Sequence, residues 1–102
     1  MYIIKNITDK IYNCIKTFIV TIKFSGYDEY TTLRIPINKL SYDNIVSMLI
    51  SKKYSYDKMQ AIINNYLLDR DTDEVVVKEF NEMQEWRKLS KTVAKDILSK
   101  IN

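Results

Sequence analysis

The chain contains a single glycine, Gly26, and a single proline, Pro36, among its 102 residues. Tight turns depend on these two residue types, because glycine adopts positive φ freely and proline pre-sets a turn geometry. Sandwiches and barrels built from many short strands need more of both. The sequence therefore favours few, long elements, and its length fits one domain with one core, residues 1–102.

The composition is that of a folded domain, with 46% hydrophobic and 28% charged residues. A net charge of +3, from 16 basic and 13 acidic residues, is close to balance and does not predict nucleic-acid binding. Residues 1–6 lack the basic segment and apolar run of a secretory signal. The most apolar stretch, residues 18–20, is far too short to cross a bilayer. We expect a cytoplasmic protein, or part of an assembly built there, with no membrane partner.

Residues 1–40 are rich in strand signals. Hydrophobic side chains alternate along residues 17–24, which is typical of a half-buried strand. A turn cluster around Gly26 separates this strand from a second one, residues 29–35, which Pro36 ends. The two predict an antiparallel hairpin, and residues 2–5 could add a short third strand. For residues 6–16 the sequence does not decide between helix and strand, because apolar residues at helical spacing occur there together with many β-branched residues.

Residues 41–102 are predicted to be helical, in three helices. Ser41 and Ser55 are good N-caps, each followed by an acidic residue in the first turn. The second helix has apolar residues at i, i+3, i+4, i+7 and i+8, namely Met59, Ile62, Ile63, Tyr66 and Leu67. Thr72 is the expected N-cap of a last helix spanning about residues 73–101. The sequence thus predicts an α+β domain in which a hairpin, or three strands, precedes three helices.

The last helix is long and amphipathic. Acids gather in its first half and bases in its second half, which complements the helix dipole. A length on the order of 40 Å exceeds the width of a compact domain of this size, so part of the helix is expected to project. Ser90 and Ala94 are small residues one turn apart, which would let another helix approach closely. The apolar stripe has two interpretations, packing in the chain's own core or an additional partner-binding or self-associating face. We favour the partner-binding face, comprising Met83, Trp86, Ser90, Val93, Ala94, Ile97 and Ile101.

Exposed aromatic residues would suit an interface as well, since tyrosine and tryptophan are enriched at protein–protein contacts. The expected exposed tyrosines are Tyr27, Tyr30, Tyr54 and Tyr56.

The usual catalytic and metal-binding groups are missing from the sequence. It has no histidine, which is the commonest general base and metal ligand, and one cysteine, Cys14. We expect Cys14 to be a small buried thiol, since it lies among Ile11, Tyr12 and Ile15. Without a glycine-rich loop the common phosphate cradles are excluded as well. The sequence therefore predicts a non-enzyme with no cofactor and no metal.

Two weaker interpretations involve charged side chains. Asp69, Asp71 and Asp73 match positions 1, 3 and 5 of a calcium loop, but Glu74 and Phe80 occupy the positions that require Gly and Glu. Lys88, Lys91 and Lys95, near Trp86, could contact phosphates. An acidic loop with a capping residue and a solvated helix face are the simpler readings of these two patterns.

A family resemblance covers residues 53–98. The segments that carry it are Lys53-Tyr54-Ser55, Met59-Gln60-Ala61-Ile62-Ile63-Asn64-Asn65-Tyr66-Leu67, Glu79-Phe80-Asn81-Glu82-Met83-Gln84-Glu85-Trp86-Arg87-Lys88 and Ala94-Lys95. Together they resemble the C-terminal half of small proteins encoded among the structural genes of tailed bacteriophages of gut Bacteroidales, including crAss-like phages. The matching residues are helix-packing residues, so no functional residue is carried over.

The resemblance implies a non-enzymatic virion component or assembly protein, located in the virion or in the host cytoplasm during assembly. Its expected partners are other virion proteins or copies of itself, contacted through the helical half. The alternative is a small phage-encoded inhibitor that binds a host protein.

Overall fold

A three-stranded antiparallel sheet precedes three helices in the computed structural model, which describes residues 1–101. The strands are β1 (Tyr2–Tyr12), β2 (Ile15–Phe24) and β3 (Thr31–Pro36), in the order β1-β2-β3, so β2 is central and the others are edges. A short 3₁₀ turn (Ile37–Lys39) leads to α1 (Tyr42–Ser51), α2 (Tyr56–Asp69) and α3 (Glu74–Ile101). The predicted α+β architecture is confirmed, in its three-stranded form.

The inner face of the sheet forms one side of the core. Val20, Ile22 and Phe24 alternate along β2 and are buried, as their period of two predicts. Leu33 and Ile35 of β3 lie on the same face, with Leu33 opposite Val20. Side chains from all three helices complete the core: Ile45, Val46 and Leu49 from α1, Ile62 from α2, and Met83, Val93, Ala94 and Ile97 from α3.

Residues 6–16, which the sequence left open, form the long end of the β1–β2 hairpin. Ile4 pairs with Ile22, but beyond a bulge Ile7 pairs with Val20. The extra residue, Lys5, shifts the alternation by one position, so that both Ile4 and Ile7 pack against the core. The bulge therefore explains why no simple period of two runs through this segment.

The hairpin turn is formed by Asn13 and Cys14, whose φ angles are 48° and 65°. Two consecutive positive φ values between paired strands are typical of a type I′ turn, which matches the twist of a hairpin. The thiol of Cys14 is exposed at this turn. The prediction of a buried thiol was wrong, because the turn lies at the end of the hairpin, where residues 8–16 are all exposed.

Side-chain caps begin the three helices. The Ser41 hydroxyl accepts a hydrogen bond from Asn44 N at 3.2 Å, and the Ser55 hydroxyl accepts one from Lys58 N at 3.1 Å. Both predicted caps are confirmed. At the start of α3, however, it is the Asp73 carboxylate that accepts from Val75 N at 2.9 Å. Thr72 instead donates to Asp69 O at 3.4 Å, so the predicted cap was displaced by one residue.

The last helix packs along much of its length. Near its start, the rings of Phe80 and Tyr66 stack at 4.0 Å, which joins α3 to α2. Its middle and C-terminal turns carry the buried residues from Met83 to Ile97. The domain is elongated, with Cα extents of 52 × 25 × 21 Å. Among residues 1–101, no helix combines the length and apolar character that crossing a membrane requires.

Candidate functional site

The predicted partner face of α3 lies inside the domain. Met83, Val93, Ala94 and Ile97 are completely buried, Ser90 and Trp86 are nearly so, and Ile101 is partly buried against the same core. The sheet and α1 already cover this stripe, so it offers no free surface in the folded chain. The amphipathic pattern of α3 is therefore explained by core packing. Any partner surface has to lie among the exposed residues.

The contacts of Trp86 show that this stripe is occupied by packing within the chain. Its ring contacts that of Phe24 at a centroid distance of 5.0 Å, and its indole Nε1 donates to the carbonyl oxygen of Leu49 at 3.1 Å. The Ser90 hydroxyl, also buried, donates to Trp86 O at 2.8 Å. Every polar group named here therefore has a partner within the chain, which removes the main cost of burying it.

An aromatic cluster surrounds the ammonium group of Lys53. The Lys53 Nζ atom lies 5.3 Å from the Trp86 ring centroid, 5.4 Å from that of Tyr27 and 5.8 Å from that of Tyr54. A hydrogen bond with Tyr27 is the main reason why the pKa of Lys53 is raised, although partial burial opposes it. This arrangement resembles a cation-binding cage, but the chain's own lysine fills it. Tyr54 is buried, which corrects its predicted exposure, whereas Tyr27, Tyr30 and Tyr56 are exposed as expected.

The end of the β1–β2 hairpin is an exposed apolar surface. Ile11 keeps 76% of its accessible surface, and Tyr12 and Ile15 also remain exposed. Asp9 and Lys16 form an ion pair at 3.8 Å across the hairpin. A second exposed apolar group lies on α2 and at the start of α3, where Leu67, Leu68 and Val75 remain exposed although Leu67 was assigned to the apolar face of α2.

An open groove of about 780 Å³ lies between β3 and α1. We call it the β3–α1 groove. Its volume falls within the range of about 300–1,000 Å³ that is typical of ligand sites. Met48 supplies apolar surface to the groove, whereas the Leu33 side chain beside it is buried in the core. The other lining residues are polar or cationic: Thr32, Arg34, Lys39, Asn44, Ser47, Ser51 and Lys52.

The strand register shows that the groove runs along unpaired backbone. Ser25 follows β2 directly, and its N–H donates to Met1 O at 2.9 Å, on the β1 side. Every second residue of a strand points the same way, so the odd-numbered residues of β2 direct their backbone groups toward β1. Because these groups alternate along a strand, the even-numbered residues of β2 bond to β3. Their partners in β3 are Thr31, Leu33 and Ile35. The N–H and C=O groups of Thr32 and Arg34 therefore point away from the sheet, toward the open edge.

The groove carries one sign of charge. Arg34, Lys39 and Lys52 line it, and no carboxylate of residues 1–101 does. Arg34 is held on the outer side of the strand, where its guanidinium lies 6.0 Å from the Tyr12 ring centroid. Sequence reasoning did not find this site, because a free edge depends on strand order and on where α1 packs. Pro36, which cannot donate to a ladder, was the one local signal that β3 is an edge strand.

Within the described residues 1–101, no cluster of three or more histidine, cysteine, aspartate or glutamate side chains that could hold a metal ion occurs. Asp73 of the calcium-like pattern is used as a helix cap. Elsewhere, the Tyr2 hydroxyl donates to Asp96 at 2.9 Å, and Lys100 also pairs with Asp96, at 2.6 Å. These contacts tie the start of β1 to the end of α3, and they are structural in character.

Comparisons of the chain with protein-family models, curated protein sequences and solved structures found no match.

Proposed function

We propose that the chain is a non-enzymatic protein that acts by binding another protein, as a virion component or assembly factor of a tailed phage. The observation that carries the binding role is the β3–α1 groove, where unpaired strand backbone, the apolar side chain of Met48 and cationic side chains adjoin one another. Protein recognition needs no more than such a surface. The phage context rests on the resemblance of residues 53–98 to small proteins of phage structural gene clusters.

The proposed contact surface lies away from the apolar stripe of α3. A partner helix cannot pack against Ser90 and Ala94 without displacing the core, since both are buried. Exposed surface near α1 and β3 is available without any rearrangement. The contact therefore still involves the helical half, through α1, but it also requires the sheet.

The histidine-free sequence supports a binding role over catalysis, because proton transfer near neutral pH most often uses histidine. The cationic groove is also compact rather than extended along a face, which is less suited to tracking a nucleic-acid backbone. Exposed surfaces elsewhere, such as the apolar hairpin end, are accessible to a second copy of the chain.

Two measurements test this proposal. Mass spectrometry of purified virions should detect the chain at a fixed ratio to other virion proteins. Affinity purification from infected cells should recover a stoichiometric phage protein. If the chain is absent from virions and instead recovers a stoichiometric host protein, the virion role is wrong and the host-inhibitor alternative is favoured. Recovery of no stoichiometric protein at all would contradict the binding role itself.

A further inference from the structure

The geometry of the β3–α1 groove points to one kind of occupant: we propose that it binds an extended, acidic segment of a partner protein, which adds to β3 as a fourth strand. This inference rests on the proposed function and specifies the partner's chemistry. Its central elements are the free backbone groups of Thr32 and Arg34 and the three cationic side chains beside them.

The free edge dictates the backbone conformation of the occupant. Thr32 and Arg34 each present one N–H donor and one C=O acceptor at strand spacing. A helix satisfies its own backbone groups and would leave these four unpaired, whereas an extended chain can pair with all of them. Strand addition at an exposed sheet edge is an established mode of peptide recognition.

The helix beside the edge dictates where the occupant's side chains lie. In an added strand, alternate side chains point to opposite faces of the sheet. Those on the inner side would meet α1, where Met48 offers a flexible apolar contact between Ser47 and Ser51. The occupant is therefore expected to place apolar or small residues at alternate positions, facing α1.

The charge of the groove dictates the occupant's charge. Arg34, Lys39 and Lys52 surround the edge without a lining carboxylate, so glutamate or aspartate side chains would be attracted and lysine side chains repelled. The same charges disfavour a second copy of this chain. Two-fold pairing of β3 with itself would place the cationic grooves of both copies together.

The other sheet edge does not compete for the same occupant. β1 is interrupted by the bulge at Lys5, and a bulge discourages edge pairing. β3 has no such interruption within its pairing to β2. The asymmetry between the two edges makes β3 the edge available for a partner.

The test is selection from a displayed library of random eight-residue peptides on the purified chain. Selected peptides should be enriched in acidic residues, with apolar or small residues at alternate positions. Methylation of the peptide nitrogens whose N–H groups face β3 should abolish binding. Methylation of the intervening nitrogens, which face away from β3, should leave binding unchanged. Amide chemical-shift changes should centre on Thr32, Arg34 and α1.

Matched variants separate charge from backbone pairing. Arg34→Glu combined with Lys52→Glu should weaken binding by about tenfold or more, because both charges are reversed beside the peptide. Lys91→Glu combined with Lys95→Glu makes the same change in net charge on exposed positions of α3, and it should leave binding unchanged. Thr32→Pro should abolish binding while the sheet stays folded, since the N–H that it removes does not bond to β2.

Several results would overturn the inference. These are the selection of no peptide, selected peptides without acidic enrichment, or binding that survives both Thr32→Pro and the groove charge reversal. If the natural partner still binds these variants but is lost when Ile11 and Tyr12 are replaced by serine, the proposed protein-binding function stands and the groove assignment fails. If affinity purification recovers no stoichiometric protein and no peptide is selected, both fail.

Discussion

The indole of Trp86 in α3 donates a hydrogen bond to the main-chain carbonyl of Leu49 in α1, across a distance of 3.1 Å. The same ring lies against Phe24 of β2 and beneath the ammonium group of Lys53. One side chain therefore joins the sheet, α1 and α3. Because α1 also forms one wall of the β3–α1 groove, Trp86 fixes the geometry of the surface that we assign to partner binding.

Trp86→Phe should lower the free energy of unfolding by about 2 kcal/mol, since it removes the hydrogen bond and leaves space in the core. Urea denaturation measures this loss. Tyr30→Phe is a suitable control, because Tyr30 keeps 55% of its accessible surface and should change stability by less than about 0.5 kcal/mol. Equal stabilities for the two variants would contradict the role assigned to Trp86.

Lys53→Met keeps an unbranched side chain that is one atom shorter, and it removes the charge from the aromatic cluster. We expect a loss of about 0.5–1 kcal/mol, the range found for exposed cation–π contacts. Lys88→Met, on the exposed side of α3, provides a comparison in which the same chemical change should have little effect. A stability change no larger than that of the Lys88 variant would show that the cluster contributes nothing measurable.

Cys14→Gly should stabilise the hairpin, because Cys14 has a φ of 65° and glycine accepts positive φ without steric cost. The expected gain is on the order of 1 kcal/mol. Asn13→Gly should gain less, since asparagine tolerates the left-handed region better than cysteine. Thermal unfolding of both variants, under reducing conditions, gives the comparison. Destabilisation by Cys14→Gly would mean that the turn strain is absent or that the thiol has an unrecognised contact.

The Asp96 contacts predict a specific pH dependence. Its pKa is lowered, mainly by the hydrogen bond from Lys100, although partial burial opposes the shift. A lowered folded-state pKa favours the native state above the unfolded value of about 3.9, and this contribution is lost as the pH falls through the folded value. The side chain keeps 30% of its exposure, so the contribution should stay below about 1 kcal/mol.

Comparing the chain with Asp96→Asn isolates this contribution. The difference in unfolding free energy between the two proteins should be constant from about pH 5 to 7 and should shrink below about pH 4. Urea titrations at several pH values in constant salt provide the measurement. Parallel stability curves down to about pH 2 would rule out a linked proton at Asp96.

Local sequence signals were sufficient to predict several elements of the fold. The alternation from Phe18 to Phe24 located β2, and the serine caps at Ser41 and Ser55 located the starts of α1 and α2. Each of these signals acts between residues close in sequence, through side-chain alternation or a hydrogen bond to the first helical turn. They can therefore be recognised without knowledge of the tertiary structure.

Residues 6–16 escaped prediction because the structure departs from a regular pattern twice. The bulge at Lys5 changes which side chains face the core, and the turn at Asn13 and Cys14 lacks glycine. The burial of the predicted partner face could not be foreseen for a different reason. An apolar stripe such as that of Met83, Ser90 and Ala94 has the same appearance whether it is covered by its own chain or by another. Only the tertiary packing distinguishes the two.

Amide hydrogen exchange, resolved by residue with NMR, tests most directly whether β3 presents a free edge to a partner. In the free protein, the amides of Thr32 and Arg34 should exchange rapidly, whereas those of Leu33 and Ile35 should be protected by their bonds to β2. Addition of a selected acidic peptide should protect Thr32 and Arg34. Slow exchange at Thr32 and Arg34 in the free protein, or no added protection with bound peptide, would contradict strand addition at the β3–α1 groove.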